Sequence, residues 1–292
     1  MSILLVGARG QVGQELLKTL GALNGWGPVM AVGRQELDLT DLRAIATQVN
    51  QIQPRLIVNA AAYTAVDKAE NEPELAHRIN AEAPEALAKA AANCGAGLVH
   101  ISTDYVFAGQ AGSPRCETDV TGPLGVYGKT KLAGEVAIRA ALKEHIVLRT
   151  AWVYGAQGKG NFVKTMLRLG QDRSELNVVA DQVGSPTWAQ DIAGAIAQLS
   201  SQITDIPGTY HYTNSGVASW YDFAVAIFEE AEILGMPLAI KTVNPIPTAA
   251  YPTPAQRPAY SVLNCQKLGQ ILGYPPHWRA SLRAMLTALV QS

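Results

Sequence analysis

Five short runs of uninterrupted apolar residues, each followed by a stretch with helical spacing, constrain this chain more than anything else in it. They are ILLVG (3–7), PVMAVG (28–33), RLIVNAAA (55–62), GLVHIST (97–103) and HIVLRTAWVYG (145–155). A strand with one wet face alternates apolar and polar residues, whereas a strand apolar at nearly every position must be covered on both faces. Helices drawn from the intervening sequence do this in a parallel, doubly wound α/β sheet of Rossmann type. The helical patterns fall where that arrangement needs them. One runs from Gln11 to about Leu20, and a second lies in LDLTDLRAIATQV, with Thr40 or Asp38 as its cap. The alanine-rich PELAHRINAEAPEALAKAAANC is the third, and the fourth is VYGKTKLAGEVAIRAAL, where Pro123 suits a first turn.

After about residue 150 the rhythm loosens. GTYHYT (208–213) and LAIKTV (238–243) read as strands, with helices near 189–199, 219–234 and 276–290. Residues 244–258 carry five prolines and read as a loop, of a length that often serves as a lid or a binding loop. The expected organisation is a dinucleotide-binding domain over 1–150 and a smaller α/β substrate domain over 151–292. Segments near 188–215 are expected to return to the sheet.

A net charge of −1 and 16% charged residues leave no basic footprint for nucleic acid. No apolar run approaches the roughly 20 residues of a membrane span, and MSILLVGARG lacks the basic start of a signal peptide. Cys94, Cys116 and Cys265 are odd in number and scattered, which argues against a disulfide framework or zinc site and for a reducing, cytoplasmic setting.

The turn after the first run, GARGQVG, spaces Gly7, Gly10 and Gly13 as G-x-x-G-x-x-G, one position away from the usual dinucleotide fingerprint. The physics carries over. Glycines let the backbone turn sharply and let a diphosphate approach the helix N-terminus, here at Gln11 and Val12. The second run ends Gly33-Arg34, and Arg9 lies within the glycine turn. An acid at that place selects NAD, whereas bases accommodate a 2′-phosphate, so two arginines favour NADPH with NADH as the alternative.

Tyr127 and Lys131 stand four apart and share a helix face, while Lys129 points elsewhere. The pair fits a surface helix with the ring packed on the lysine stem. It fits equally a phenol acid whose pKa is lowered by a neighbouring ammonium. His100, inside an apolar run, reads as a packed histidine, and Asn80 as a mid-helix residue holding a nearby loop.

Taken in order, GARGQVG, LDLTD, VNAAAYTAVDKAE, HISTDYVFAG, YGKTK and LRTAWVYG resemble the extended short-chain dehydrogenases, and among them the dTDP-4-dehydrorhamnose reductase family. GNFV (160–163), DQVGSPT (181–187) and RPAYSVLN (257–264) continue the match. The resemblance implies a catalytic trio of Thr103, Tyr127 and Lys131. Asp38 and Leu39 would pass the adenine, and Ala61, Ala62 and Tyr63 would line the cofactor. Asp104, Trp152, Asn161, Gln182, Ser185 and Arg257 would meet a nucleotide sugar, although Trp152 also reads as a core aromatic and Asp104 as a loop cap. The implied reaction is NADPH-dependent reduction of the 4-keto group of dTDP-4-dehydro-L-rhamnose, in a monomer or homodimer. Some family members pair through magnesium; Glu15 and Asp191 match such positions, but Gln190 stands where another acid is expected, so no metal is assigned. Two other readings stay open: an epimerase or dehydratase of the same superfamily, and a non-catalytic regulatory subunit like that of methionine adenosyltransferase. Tyr105 replaces the glutamate that follows Thr-Asp in the dehydratases.

Overall fold

The computed structural model of the chain describes residues 2–23, 25–110 and 112–291. Its centre is a six-stranded parallel sheet. β1 (Ile3–Val6), β2 (Val29–Val32), β3 (Leu56–Asn59), β4 (Gly97–Thr103) and β5 (His145–Thr150) are joined by the strand Gly208–His211 in the order β2-β1-β3-β4-β5 and then Gly208–His211. One row of the register crosses the whole sheet, from Ala31 through Leu5, Val58, Val99 and Ile146 to Gly208.

Both faces are covered, which is why the strands are apolar throughout. Leu5, Val58, Val99 and Ile146 pack beneath α1 (Gln11–Gly21) and the helix Ala189–Ser200. Leu4, Ile57, Leu98 and Val147 pack beneath α2 (Leu42–Ile52) and the helices Ala83–Cys94 and Val126–Ala141. Each such side chain contributes about 1.5–3 kcal/mol of transfer free energy on burial. A separate core in the C-terminal half joins the helices Phe162–Asp172, Trp220–Ile233 and Trp278–Val290 through Val163, Met166, Phe223, Ile227, Trp278 and Leu282. No helix among the described residues is long and apolar enough to cross a membrane.

Local chemistry overrides the sequence pattern in several places. The cap of α2 is Asp41, whose carboxylate accepts the Arg43 and Ala44 N–H groups at 3.0 Å each. Asp38 instead accepts from the Thr40 amide and hydroxyl just upstream. The alanine-rich stretch is helical from Pro73 to Cys94 but opens into a π-helical turn at Arg78–Glu82. Pro84 explains it: it has no N–H for the Asn80 carbonyl four residues back. The fifth apolar run is broken at Trp152, whose φ of +47° ends β5 before a short strand at Val153–Tyr154. The helix bearing Tyr127 starts at Val126, leaving Pro123 outside it. The strand expected at 238–243 lies at Thr242–Ile246, paired with Glu175–Val179, and takes in Pro245, a residue a two-stranded edge can hold. The strand in GTYHYT ends at His211, while the helices Phe162–Asp172 and Gln266–Leu272 were not anticipated.

The strand order places a crevice at the carboxyl ends of β1 and β3, where the chain switches from winding one way to the other. Gly7 turns there with φ of +84°, and a Cβ on it would stand 2.7 Å from the Ala61 amide nitrogen. Gly7→Ala should therefore lower thermal stability and abolish dinucleotide binding. Gly95→Ala is the control, since Gly95 is also left-handed but has open space around it. It should cost only about 1–2 kcal/mol and spare binding. Equal behaviour of the two variants in thermal melts and cofactor titration would remove the close approach to Ala61 as a constraint.

Candidate active site

The helix Val126–Ala141 begins at Gly125, which has no side chain to cap it. Its cap comes from elsewhere: Glu70 Oε1 accepts the Val126 N–H at 2.8 Å. One turn in, a Cβ on Gly128 would stand 2.2 Å from the Tyr105 carbonyl oxygen, so only glycine lets this helix lie against the segment leaving β4. Asn80, on the π-helical turn, donates to Thr130 Oγ1 at 3.2 Å and to the Tyr63 carbonyl at 3.1 Å, and accepts the Tyr63 N–H at 2.8 Å. One amide thus ties the helix to the loop after β3. The Tyr127 ring meets that of Tyr105 edge-on, with centroids 5.5 Å apart.

Thr103 is the last residue of β4, and its side chain lies near enough to Tyr127 to pull on the phenol. It donates to Asp104 Oδ1 at 2.9 Å and accepts the Tyr105 N–H at 3.2 Å. Asp104 Oδ2 is buried with no hydrogen-bond partner, an unusual state for a carboxylate oxygen. Burial pushes the Asp104 carboxyl up to about 6, held back by the hydroxyls of Ser261 and Thr103. Burial also pushes the Tyr127 phenol up to about 12; Thr103 pulls it down and the Asp104 charge raises it further. The sequence reading expected Lys131 to lower that value. It does not, because Lys131 Nζ is turned to the Ile101 carbonyl (2.7 Å) and His100 Nε2 (3.0 Å).

Around the glycine turn, Gly10 is the N-cap of α1 and supplies no side-chain cap, and the first turn of α1 holds no acid. Gly13 is buried beneath the turn, and Gln11 and Val12 are half-buried at its mouth. These are the conditions a dinucleotide diphosphate requires. Ala61, Ala62 and Tyr63 are half-buried after β3, Leu39 is buried, and Asp38 and Arg34 are exposed beyond β2. Arg9 lies across Gly33 and bonds Gln35 (2.9 Å) and Glu36, whose carboxylate also takes the Gly33 N–H at 2.8 Å. Glu36, missed in the sequence, thus occupies one of the two arginines and leaves Arg34 as the freer base.

Apart from Asp104, the expected substrate residues lie on the C-terminal half, which meets the glycine turn through Asn161 and the segment after β3 through Arg257. Trp152 stacks flat on Trp220 (3.5 Å, 2°) and lies so close to Gly184 that a Cβ there would be 2.5 Å away. A bulky residue with positive φ is costly and is kept where surrounding structure enforces it. Asn161 caps the helix Phe162–Asp172 and donates to Gln11 Oε1 at 2.8 Å, joining this half to the glycine turn. Gln182 donates to Thr248 and Ser185 to the Gly216 carbonyl. Arg257 grips Asp67 with two bonds (3.0 and 2.7 Å), so its guanidinium holds the proline-rich loop to the helix Val66–Ala69. Asp191 bonds Asn214 and Ser281, Glu15 bonds Lys18, and no group of three potential metal ligands forms among the described residues.

The family whose sequence model is described as RmlD substrate binding domain matches residues 1–291. The dTDP-4-dehydrorhamnose reductase of Escherichia coli K12 is 47% identical over 99% of this chain and 98% of its own. That of Salmonella typhimurium LT2 is 45% identical over the same shares. The chain belongs to the dTDP-4-dehydrorhamnose reductase family. Among solved structures, the family member from Clostridium acetobutylicum superposes with a TM-score of 0.91 at 41% identity over all of both chains. The Bacillus anthracis reductase, solved in complex with NADP, gives 0.90 at 36% identity over 98% of this chain and 99% of that one. A UDP-glucose 4-epimerase from Thermus thermophilus, at 21% identity and 0.81, shares the fold.

Asp104 supplies a pH test. Its carboxyl titrates higher folded than unfolded, so the folded state binds more protons between about pH 4 and 6 and loses stability as pH rises through that window. Asp104→Asn should therefore stabilise the chain at pH 7.5 by about 1–3 kcal/mol and change it little at pH 3.5, below the unfolded value. Denaturant melts at the two pH values measure this. An equal effect at both would mean the buried carboxyl titrates normally.

Proposed function

We propose that this chain reduces the 4-keto group of dTDP-4-dehydro-L-rhamnose to the alcohol of dTDP-L-rhamnose, with NADPH as reductant. What carries the reading is the convergence of Thr103, Tyr127 and Lys131 at the carboxyl ends of the strands, in a chain 47% identical to a named reductase along its length. NADPH, when bound, supplies the hydride. The uncapped N-terminus of α1 would hold its diphosphate and Arg34 its 2′-phosphate, with Ala61, Ala62 and Tyr63 along its length.

Tyr127 gives its phenolic proton to the C4 oxygen as negative charge develops there, and Thr103 orients that oxygen with a hydrogen bond. A phenol held at about 12 keeps its proton until an alkoxide, a stronger base, is present. Lys131, in its ammonium form, stabilises the phenolate that remains. Asp104, through Oδ1, holds the Thr103 hydroxyl beside the sugar. Trp152 offers a flat apolar surface beside the crevice for the base or sugar ring. Tyr105 is a phenol that burial raises above its ordinary range, and so no base for water elimination. This disfavours a dehydratase. We place the enzyme in the cytoplasm, as a monomer or homodimer.

Tyr127→Phe keeps the ring and removes the proton donor. Turnover should fall roughly 10²–10⁴-fold, the usual size of general acid catalysis, while NADPH affinity by fluorescence titration stays near wild type. Turnover within threefold of wild type would return Tyr127 to a packing role.

Arg34→Asp should cut kcat/KM with NADPH at least tenfold more than with NADH, because it removes a base near the 2′-phosphate and adds a repelling charge. An unchanged ratio between the two cofactors would refute the role of Arg34 and shift cofactor choice to Arg9.

A further inference from the structure

Lys131 is 1% exposed, and its Nζ has two partners, the Ile101 carbonyl and His100 Nε2. No carboxylate among the described residues bonds it. Glu135, one turn further along the helix, is taken up by Ser102, Arg139 and Arg149. His100 is fully buried, and on its other side Asn59 Nδ2 lies 3.0 Å from His100 Nδ1. Which end of the Asn59 amide faces the ring is fixed independently, because Asn59 Oδ1 accepts the Ala61 N–H at 3.1 Å. Turning the amide would set two donors against each other there.

Asn59 therefore presents a donor, and His100 Nδ1 must be bare. A neutral imidazole with bare Nδ1 carries its proton on Nε2. That N–H points at Lys131 Nζ. An ammonium has three donors and no lone pair, so it cannot accept this bond. An uncharged amine can, accepting from His100 while donating to Ile101.

We propose that Asn59 and His100 form a tautomer lock that holds Lys131 as an uncharged amine. They act as positioning residues for the charge of the lysine. The surroundings agree. Burial acts in the same direction, pulling Lys131 down to about 8 against the pull of Glu135, and the His100 N–H has to carry it the rest of the way; burial also drives His100 well below its ordinary range, so an imidazolium does not form. The other charged group whose field reaches Lys131 is Glu135 on the same helix, itself paired with Arg149 on β5 and Arg139. To become the ammonium that supports the Tyr127 phenolate, Lys131 must leave His100, or His100 must move its proton to Nδ1 and break with Asn59. Charging the lysine is thus coupled to a rearrangement at the site.

The importance of Lys131 rests on the proposed reaction, but the test does not. Full-length, cofactor-free protein is labelled with ¹⁵N-histidine and ¹³C-lysine, and long-range ¹H–¹⁵N spectra report the tautomer of each of the five histidines. The His100 signal is assigned by its loss in His100→Gln or by removing the other four. In wild type, His100 should be neutral with its proton on Nε2 near neutral pH, and one lysine should titrate well below the rest. Asn59→Asp gives Nδ1 an acceptor. It should move the proton to Nδ1 and raise the Lys131 midpoint by about one pH unit, a tenfold gain in proton affinity. Asn59→Leu, which removes the donor without adding charge, should raise it by less. A wild-type His100 with its proton on Nδ1, or doubly protonated, overturns the lock, and so does a Lys131 midpoint unmoved in a folded variant. The wild-type spectrum decides the question even if neither variant folds. Failure of wild type to reduce dTDP-4-dehydrorhamnose would sink the proposed reaction and leave the tautomer result standing.

Discussion

A row of polar side chains sunk into the carboxyl ends of an apolar sheet is the constraint on which the rest of this molecule depends. Asn59 on β3, His100, Ser102 and Thr103 on β4, and Arg149 on β5 are all buried. An apolar core tolerates such groups only when they are hydrogen-bonded. Nearly every contact that shapes the site is an answer to that demand. Helix Val126–Ala141 supplies Lys131 to His100 and Glu135 to Ser102 and Arg149. The two chains of bonds cross the same face of β4, one ending at Lys131 and the other at the Glu135–Arg149 pair.

The second chain explains how a distant loop is kept in place. Arg149 meets Glu135 through two bonds of 2.9 and 2.7 Å and bonds His211 Nε2 at 3.3 Å. The other nitrogen of His211 donates to the Arg115 carbonyl, and its amide donates to Glu117. Burial depresses the His211 imidazole to about 3, so it stays neutral and can accept from Arg149. Removing one member of a buried ion pair costs about 3–5 kcal/mol because the other charge is stranded. The loop after β4 is therefore anchored by charge at its far end and by Thr103 and Asp104 at its near end.

The sheet was legible in the sequence because its signal is local: continuous apolar runs at regular intervals, punctuated by glycine. GLVHIST became Gly97–Thr103 to the residue. What was not legible required knowing what lies across space. Three residues of LDLTD can cap a helix, and only packing selects Asp41. The π-helical turn at Arg78–Glu82 depends on Pro84 meeting Asn80, and the break at Trp152 depends on Trp220 and Gly184. The Tyr127–Lys131 pair was readable as a spacing, but the state of Lys131 was not, since it is set by His100, Ile101 and Asn59 on two other strands. Glu36 and Glu70 carried no signal of their own. Each acts by filling a backbone need left by a glycine neighbour, Gly33 in one case and Gly125 in the other.

These contacts also tie together two halves that have separate cores. Asn161, the cap of a helix in the C-terminal core, bonds Gln11 at the entrance to α1, and Arg257 in the proline-rich loop bonds Asp67 after β3. Each link begins in the half carrying the expected substrate residues and ends beside the crevice that would take the cofactor. Both are polar and part-buried, stronger than exposed pairs yet open to exchange with a ligand group. A diphosphate reaching Arg257 would compete with Asp67 for the guanidinium, two negative charges against one. Substrate capture by such a site would then trade contacts between its halves for contacts with the ligand, which favours selectivity over raw affinity.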